Sequence, residues 1–120
     1  MLNKEDRIRL CHMLEAAREA LELAKGRTRA ELESDRSLTH SLVRCLEIIG
    51  EAASKVSKEY RQTNTQIEWD DMIGMRNRLV HAYFDINLNI VWRTVNKEVI
   101  PLVSAIEAIM ESEGLNDCQR

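Results

Sequence analysis

A chain of 120 residues, 44% of them hydrophobic, has the length for one core and one domain spanning 1–120, not two. One proline, four glycines and 4% aromatics exclude the turn-rich pattern of an all-β protein. A formal net charge of -3 excludes a protein that coats nucleic acid through a uniformly basic surface, while leaving room for a local cationic cleft. The opening MLNKEDRIRL lacks the apolar run of a signal peptide, and no window approaches the roughly 18 apolar residues of a membrane span, so a cytoplasmic protein is expected. Cys11, Cys45 and Cys118 are odd in number and far apart, which predicts reduced thiols, two of them acting as small core residues.

In chain order, Ile8, Cys11, Leu14, Ala17, Leu21 and Ala24 recur at three- and four-residue steps and predict an amphipathic helix from Lys4 to about Lys25, stopped at Gly26. The charged RTRAELESDR has room for one short helical turn. Leu38, Leu42, Cys45, Ile49, Ala52 and Val56 mark a second long helix, capped by Asp35 or Ser37. Gly50 inside it costs about 1 kcal/mol relative to alanine, which makes sense if another backbone passes close by. RQTNTQ reads as a connector. A third helix is expected from Trp69 or Asp70 through RNRLVHAYF, residues 76–84, followed by the loop DINLN with Asp85 or Asn87 as the next cap. Leu88, Val91, Val95, Val99, Leu102, Ile106 and Ile109 predict a last long helix, kinked at Pro101, and residues 113–120 should fray. The fold class is all-α, an up-down bundle of about four to five helices.

On an unbroken third helix, Trp69, Met72, Ile73, Arg76, Val80 and Tyr83 share one face, which places Arg76 away from the wet side. Asn77 and His81 stack on the flank, with Arg78 in reach of His81. Imidazole beside guanidinium, with no carboxylate cluster for a metal, suits proton transfer next to a phosphate. The arginine fork holds phosphate oxygens, and an imidazole whose ordinary pKa is near 6.5 exchanges a proton around neutrality. RNA brings its own nucleophile, the 2′-hydroxyl. Cleavage by that route needs one base and one acid, yet the strip has one histidine per chain. A two-fold dimer supplies two, which predicts a homodimer with the two RNRLVHAY strips facing across a cleft.

Arg76, His81 and Tyr83 form R-x-x-x-x-H-x-Y in MRNRLVHAYFDIN. With LEIIGEAA upstream, the W-x-x-x-x-G-M-R-N-R lead-in from Trp69 and N-x-x-x-V-W from Asn87 to Trp92, the chain resembles the HepT-like toxins of the HEPN superfamily over nearly its whole length. That resemblance implies a metal-independent endoribonuclease without a cofactor, working as a homodimer, with Arg76 and His81 catalytic and Asn77 assisting. It also implies a partner, an MntA-like minimal nucleotidyltransferase that silences the toxin by attaching AMP to Tyr83. Added bulk and negative charge in a cationic cleft would block RNA entry.

Each residue has a plainer reading. His81 suits a helix-end histidine, Arg76 a salt-bridge partner of Glu47 or Glu51, and Tyr83 a core-margin aromatic. Arg78 divides between cleft and solvated face, Glu47 supports the cleft at most, His12 and His40 belong to surface patterning, and Trp69 and Trp92 are packing anchors. The alternative function is a non-catalytic helical module that binds a nucleotide or serves as adaptor for a nucleotidyltransferase. A bare helical scaffold without ligand is the third option.

Overall fold

The computed structural model describes residues 2–80, 85–115 and 118. Helix α1 (Lys4–Ala24) begins where the Asn3 side chain accepts from the Asp6 N–H at 2.8 Å, and it closes just before Gly26, whose φ of 73° suits glycine. The charged linker holds one short helix, α2 (Glu31–Ser34). Of the two cap candidates for α3 (Arg36–Lys55), Asp35 is the one used, accepting from the Leu38 N–H at 3.0 Å. That backbone donor, with the Arg27 guanidinium at 2.6 Å, holds the Asp35 carboxyl below its usual range.

Three stretches depart from the sequence expectation. KEYRQT, expected to run into a bare connector, forms its own helix α4 (Lys58–Thr63), started by the Ser57 hydroxyl and anchored by buried Tyr60. The third helix, expected to be continuous from Trp69 to residue 84, is two short ones, α5 (Trp69–Ile73) and α6 (Met75–Leu79), broken at Gly74. Val80 is already extended and pairs with Ile86 in an isolated antiparallel bridge, as suits a β-branched residue. Finally, Asn87 caps α7 (Leu88–Arg93), which passes through a π-helical stretch, Thr94–Val99, into α8 (Ile100–Ser112). Pro101 sits in the first turn of α8, directly after the π-helical stretch.

The architecture is all-α, and the only strand-like pairing among the described residues is that single bridge. None of the helices among them is long and apolar enough to cross a membrane. Helix α3 lies along α1 and passes under α5 and α6, while the π-helical stretch and α8 cover another side of α1. Because α1 has these two neighbours, its buried face centres on Leu10, Met13, Leu14 and Ala17, and Ile8, expected inward, is 41% exposed. The α3 stripe and the Val91–Ile109 stripe are buried as their spacing requires.

Cysteine usage is also corrected. Cys11 and Cys118 are joined by a disulfide with Cα atoms 5.3 Å apart, and only Cys45 is a free thiol. Separation of 107 residues along the chain says nothing about separation in space once α8 returns alongside α1. The described part of the tail is therefore tethered: Gly114 (φ 75°) turns the chain, the Leu115 N–H donates to the Met110 carbonyl at 2.8 Å, and Cys118 is held.

Two internal fastenings position the rest. Buried Asp6 accepts from the Ser57 N–H at 2.8 Å and the Ser57 hydroxyl at 2.6 Å, locking the start of α1 to the α3–α4 corner. Gly50 lets the α5–α6 corner rest on α3, since a Cβ there would lie 2.6 Å from the Met72 carbonyl oxygen. Asp6→Ala is expected to lower unfolding free energy by about 1.5–3 kcal/mol, the range for hydrogen bonds to a charged group, as read by urea denaturation. Gly50→Ala should cost about 1–3 kcal/mol despite alanine's better helix propensity, because the clash is with backbone; a stabilised variant in the same assay would contradict the close approach.

Candidate active site

The Gly50 contact decides where Arg76 goes. With α5 seated on α3 and the helix restarted after Gly74, Met75 and Leu79 turn into the core, while Arg76 and Asn77 turn outward. The uninterrupted helix placed Arg76 on the buried face; instead its side chain is 73% exposed. The break at Gly74 shifts the helical phase, and every later residue moves with it.

Arg76 is nonetheless held. Its Nη1 donates to Oε2 of Glu47 on α3, whose side chain is 25% exposed. Of the two carboxylates named from sequence, Glu47 is the partner, and Glu51 instead pairs with Lys55 at 3.4 Å. A half-buried carboxylate thus grips one edge of the guanidinium and leaves the rest of the fork facing an open cavity of about 650 Å³. Helix α3 gives that cavity its floor, with Glu47, Ile48 and Glu51; α5 and α6 give one wall, with Ile73, Arg76 and Asn77; and α1 gives the other, with Arg9 and His12.

Arg78 goes elsewhere. Two residues further round a helix is about 200°, so it leaves the Arg76 side and makes a two-pronged pair with Glu98 of the π-helical stretch, at 3.0 and 2.6 Å. Glu98 raises the guanidinium pKa further above its ordinary value, so Arg78 is a permanent cation already committed inside the fold. Neither of its sequence readings, cleft or solvated face, describes that position. His81 and Tyr83 lie outside the described residues. The chain on either side of them is pinned, by the Val80–Ile86 bridge and by the Asn87 N–H donating to the Leu79 carbonyl at 2.8 Å.

Sequence reasoning set His12 aside, yet it is half-buried in the wall opposite Arg76. The missing signal was the antiparallel register of α1 and α3, fixed by Asp6 meeting Ser57 and Cys45 donating to Glu19, which brings the first turns of α1 level with Glu51. The free thiol is no nucleophile: burial, and then the neighbouring Glu19, push Cys45 up to about 12.

Fold and site together define an all-α protein with an open groove lined by guanidinium groups, suited to an anionic chain. Comparison with known proteins makes the class specific: residues 13–109 match the family model described as Ribonuclease HepT-like, and the chain belongs to that family of ribonucleases. It is 36% identical over 110 residues to the protein named "Putative RNase TTE0752" of Caldanaerobacter subterraneus subsp. tengcongensis, covering 92% of this chain and 98% of the relative. It is 32% identical over 100 residues to "Probable ribonuclease HepT" of Thermococcus cleftensis, covering 80% of this chain and 91% of that one. No solved structure matches it significantly.

With its pKa raised to about 12, Cys45 stays protonated until well above neutrality. Alkylation of the folded protein at pH 8 is expected to be far slower at Cys45 than in the urea-unfolded chain, as mass spectrometry of the modified peptide would read; equal rates would mean the thiol is not buried against Glu19.

Proposed function

We propose that the chain is a metal-independent endoribonuclease toxin acting as a homodimer, with Arg76 and His81 of both subunits lining one cleft. The observation that carries this reading is the Arg76–Glu47 pair, an exposed guanidinium aimed by a half-buried carboxylate into an open cavity. In the reaction, one imidazole takes the 2′-hydroxyl proton and the 2′-oxygen attacks the adjacent phosphorus. The bond from phosphorus to the 5′-oxygen breaks, and the other imidazole protonates that leaving oxygen, so the products end in a 2′,3′-cyclic phosphate and a 5′-hydroxyl. Charge building on the phosphoryl oxygens is met by Arg76, and Asn77 adds a neutral donor beside it. Glu47 positions Arg76, and Arg78, through Glu98, fixes the far side of α6.

Control is proposed to come from an MntA-like nucleotidyltransferase that transfers AMP from ATP to the Tyr83 hydroxyl, breaking the α–β phosphoanhydride bond and releasing pyrophosphate and the hydroxyl proton. An added nucleotide would crowd the groove and neutralise its guanidinium groups. Family membership supports the ribonuclease over the adaptor module.

Purified protein should cut RNA in EDTA. Arg76→Ala is expected to lower kcat/KM by about 10²–10³-fold and His81→Ala by about 10²–10⁴-fold, both with unchanged circular dichroism. Arg76→Lys should rescue poorly, because a point charge does not replace the fork. Undiminished cleavage by His81→Ala would remove the proposed base. After co-expression with an MntA-like nucleotidyltransferase, a Tyr83 peptide should gain AMP-sized mass, and a Tyr83→Phe chain should not; labelling elsewhere would contradict that control.

A further inference from the structure

The groove beside Arg76 continues along α3. Arg36, His40 and Arg44 stand at four-residue steps, each a rise of about 6 Å, and all three are exposed. Arg44 joins two hollows, the cavity that holds Arg76 and a shallower one shared with Arg36 and His40. Across α3 from Arg76, the α1 wall adds Arg9 and His12. None of these five side chains has a hydrogen-bond or ion-pair partner among the described residues.

They cluster along one groove in a chain whose 20 acidic residues outnumber 17 Lys and Arg. Three arginines elsewhere are matched: Arg18 with Glu107, Arg27 with Glu31 and Asp35, Arg78 with Glu98. Along the groove the carboxylates are already engaged, Glu47 with Arg76, Glu51 with Lys55 and Glu19 with the Cys45 thiol. A protein with a net negative charge has therefore left one face of α3 positive and unpartnered. From Arg36 to Glu47 the helix rises about 16 Å, which matches about five nucleotides at the roughly 3.4 Å spacing of a stacked strand.

We propose that the exposed face of α3, from Arg36 through His40 to Arg44 and joined by Arg9 and His12 of α1, is a track that holds the sugar–phosphate backbone of single-stranded RNA and delivers it to Arg76. The track rests on the ribonuclease reading. Guanidinium and imidazole planes also stack on unpaired bases, which favours a single strand over a duplex. Arg36, His40 and Arg44 precede Glu47 along α3, whereas Arg9 and His12 lie level with Glu51 and beyond, so the strand is held on both sides of the cleaved phosphate.

The test is binding of the full chain to a short single-stranded RNA with methylated 2′-oxygens, which cannot be cut by its own hydroxyl, followed across a salt series. Arg36→Gln/Arg44→Gln is expected to weaken binding at least tenfold and to flatten the slope of log affinity against log salt by about 1.4, from about 0.7 per phosphate contact. Arg9→Gln should flatten it by about 0.7, and either single α3 variant likewise, so a folding defect in the double variant does not remove the test. Lys97→Gln, in a hollow with Glu98 and Pro101, should match the unaltered protein. Variants on α3 that bind like Lys97→Gln, in a chain whose unaltered form cuts RNA, would overturn the track alone. An unaltered chain that neither binds nor cuts single-stranded RNA would overturn the ribonuclease reading as well.

Discussion

Helix α3 can pass beneath the α5–α6 corner only because residue 50 has no side chain; a Cβ would stand 2.6 Å from the Met72 carbonyl oxygen and 3.4 Å from the Met75 Cβ. The missing Cβ sets how deeply the corner sits, and the break at Gly74 sets the phase with which α6 leaves it. Together they bury Met75 and Leu79 and turn Arg76 outward onto Glu47, one turn of α3 before Gly50.

The two ion pairs of α6 have different work. With Arg76 73% exposed, its pair with Glu47 is screened by water and adds little to stability. Its effect is geometric, restricting a long side chain to one direction at the rim of the groove. Arg78 and Glu98 are each about a quarter exposed and doubly bonded, a geometry that ties α6 to the π-helical stretch. One guanidinium holds the helix, and the other faces the open groove. The disulfide from Cys11 to Cys118 adds a third tie, fastening Cys118 to α1, which forms a wall of the groove.

What was legible in the sequence follows from where periodicity operates. The α3 and Val91–Ile109 stripes were readable because long helices pack one consistent face, and Gly50 was readable as a close approach because glycine mid-helix has few other uses. The phase of Arg76 was not readable, since a single break at Gly74 rotates everything after it. Nor was the Arg78–Glu98 pair, formed across 20 residues, or the Cys11–Cys118 bond, formed across 107. His12 was passed over for the same reason: a surface histidine gains meaning only when the register of α1 on α3 puts it across from Arg76. The family motif named residues in sequence; among the described ones, tertiary packing puts Arg76 and Asn77 in the cavity and Arg78 against Glu98.

The central claim is that Glu47 serves the reaction only through Arg76. A double-mutant cycle on RNA cleavage, using Glu47→Gln, Arg76→Ala and the pair, tests it directly. Glu47→Gln is expected to slow cleavage in the unaltered background and to change nothing further once Arg76 is alanine. Independent losses that multiply in the double variant would contradict the account.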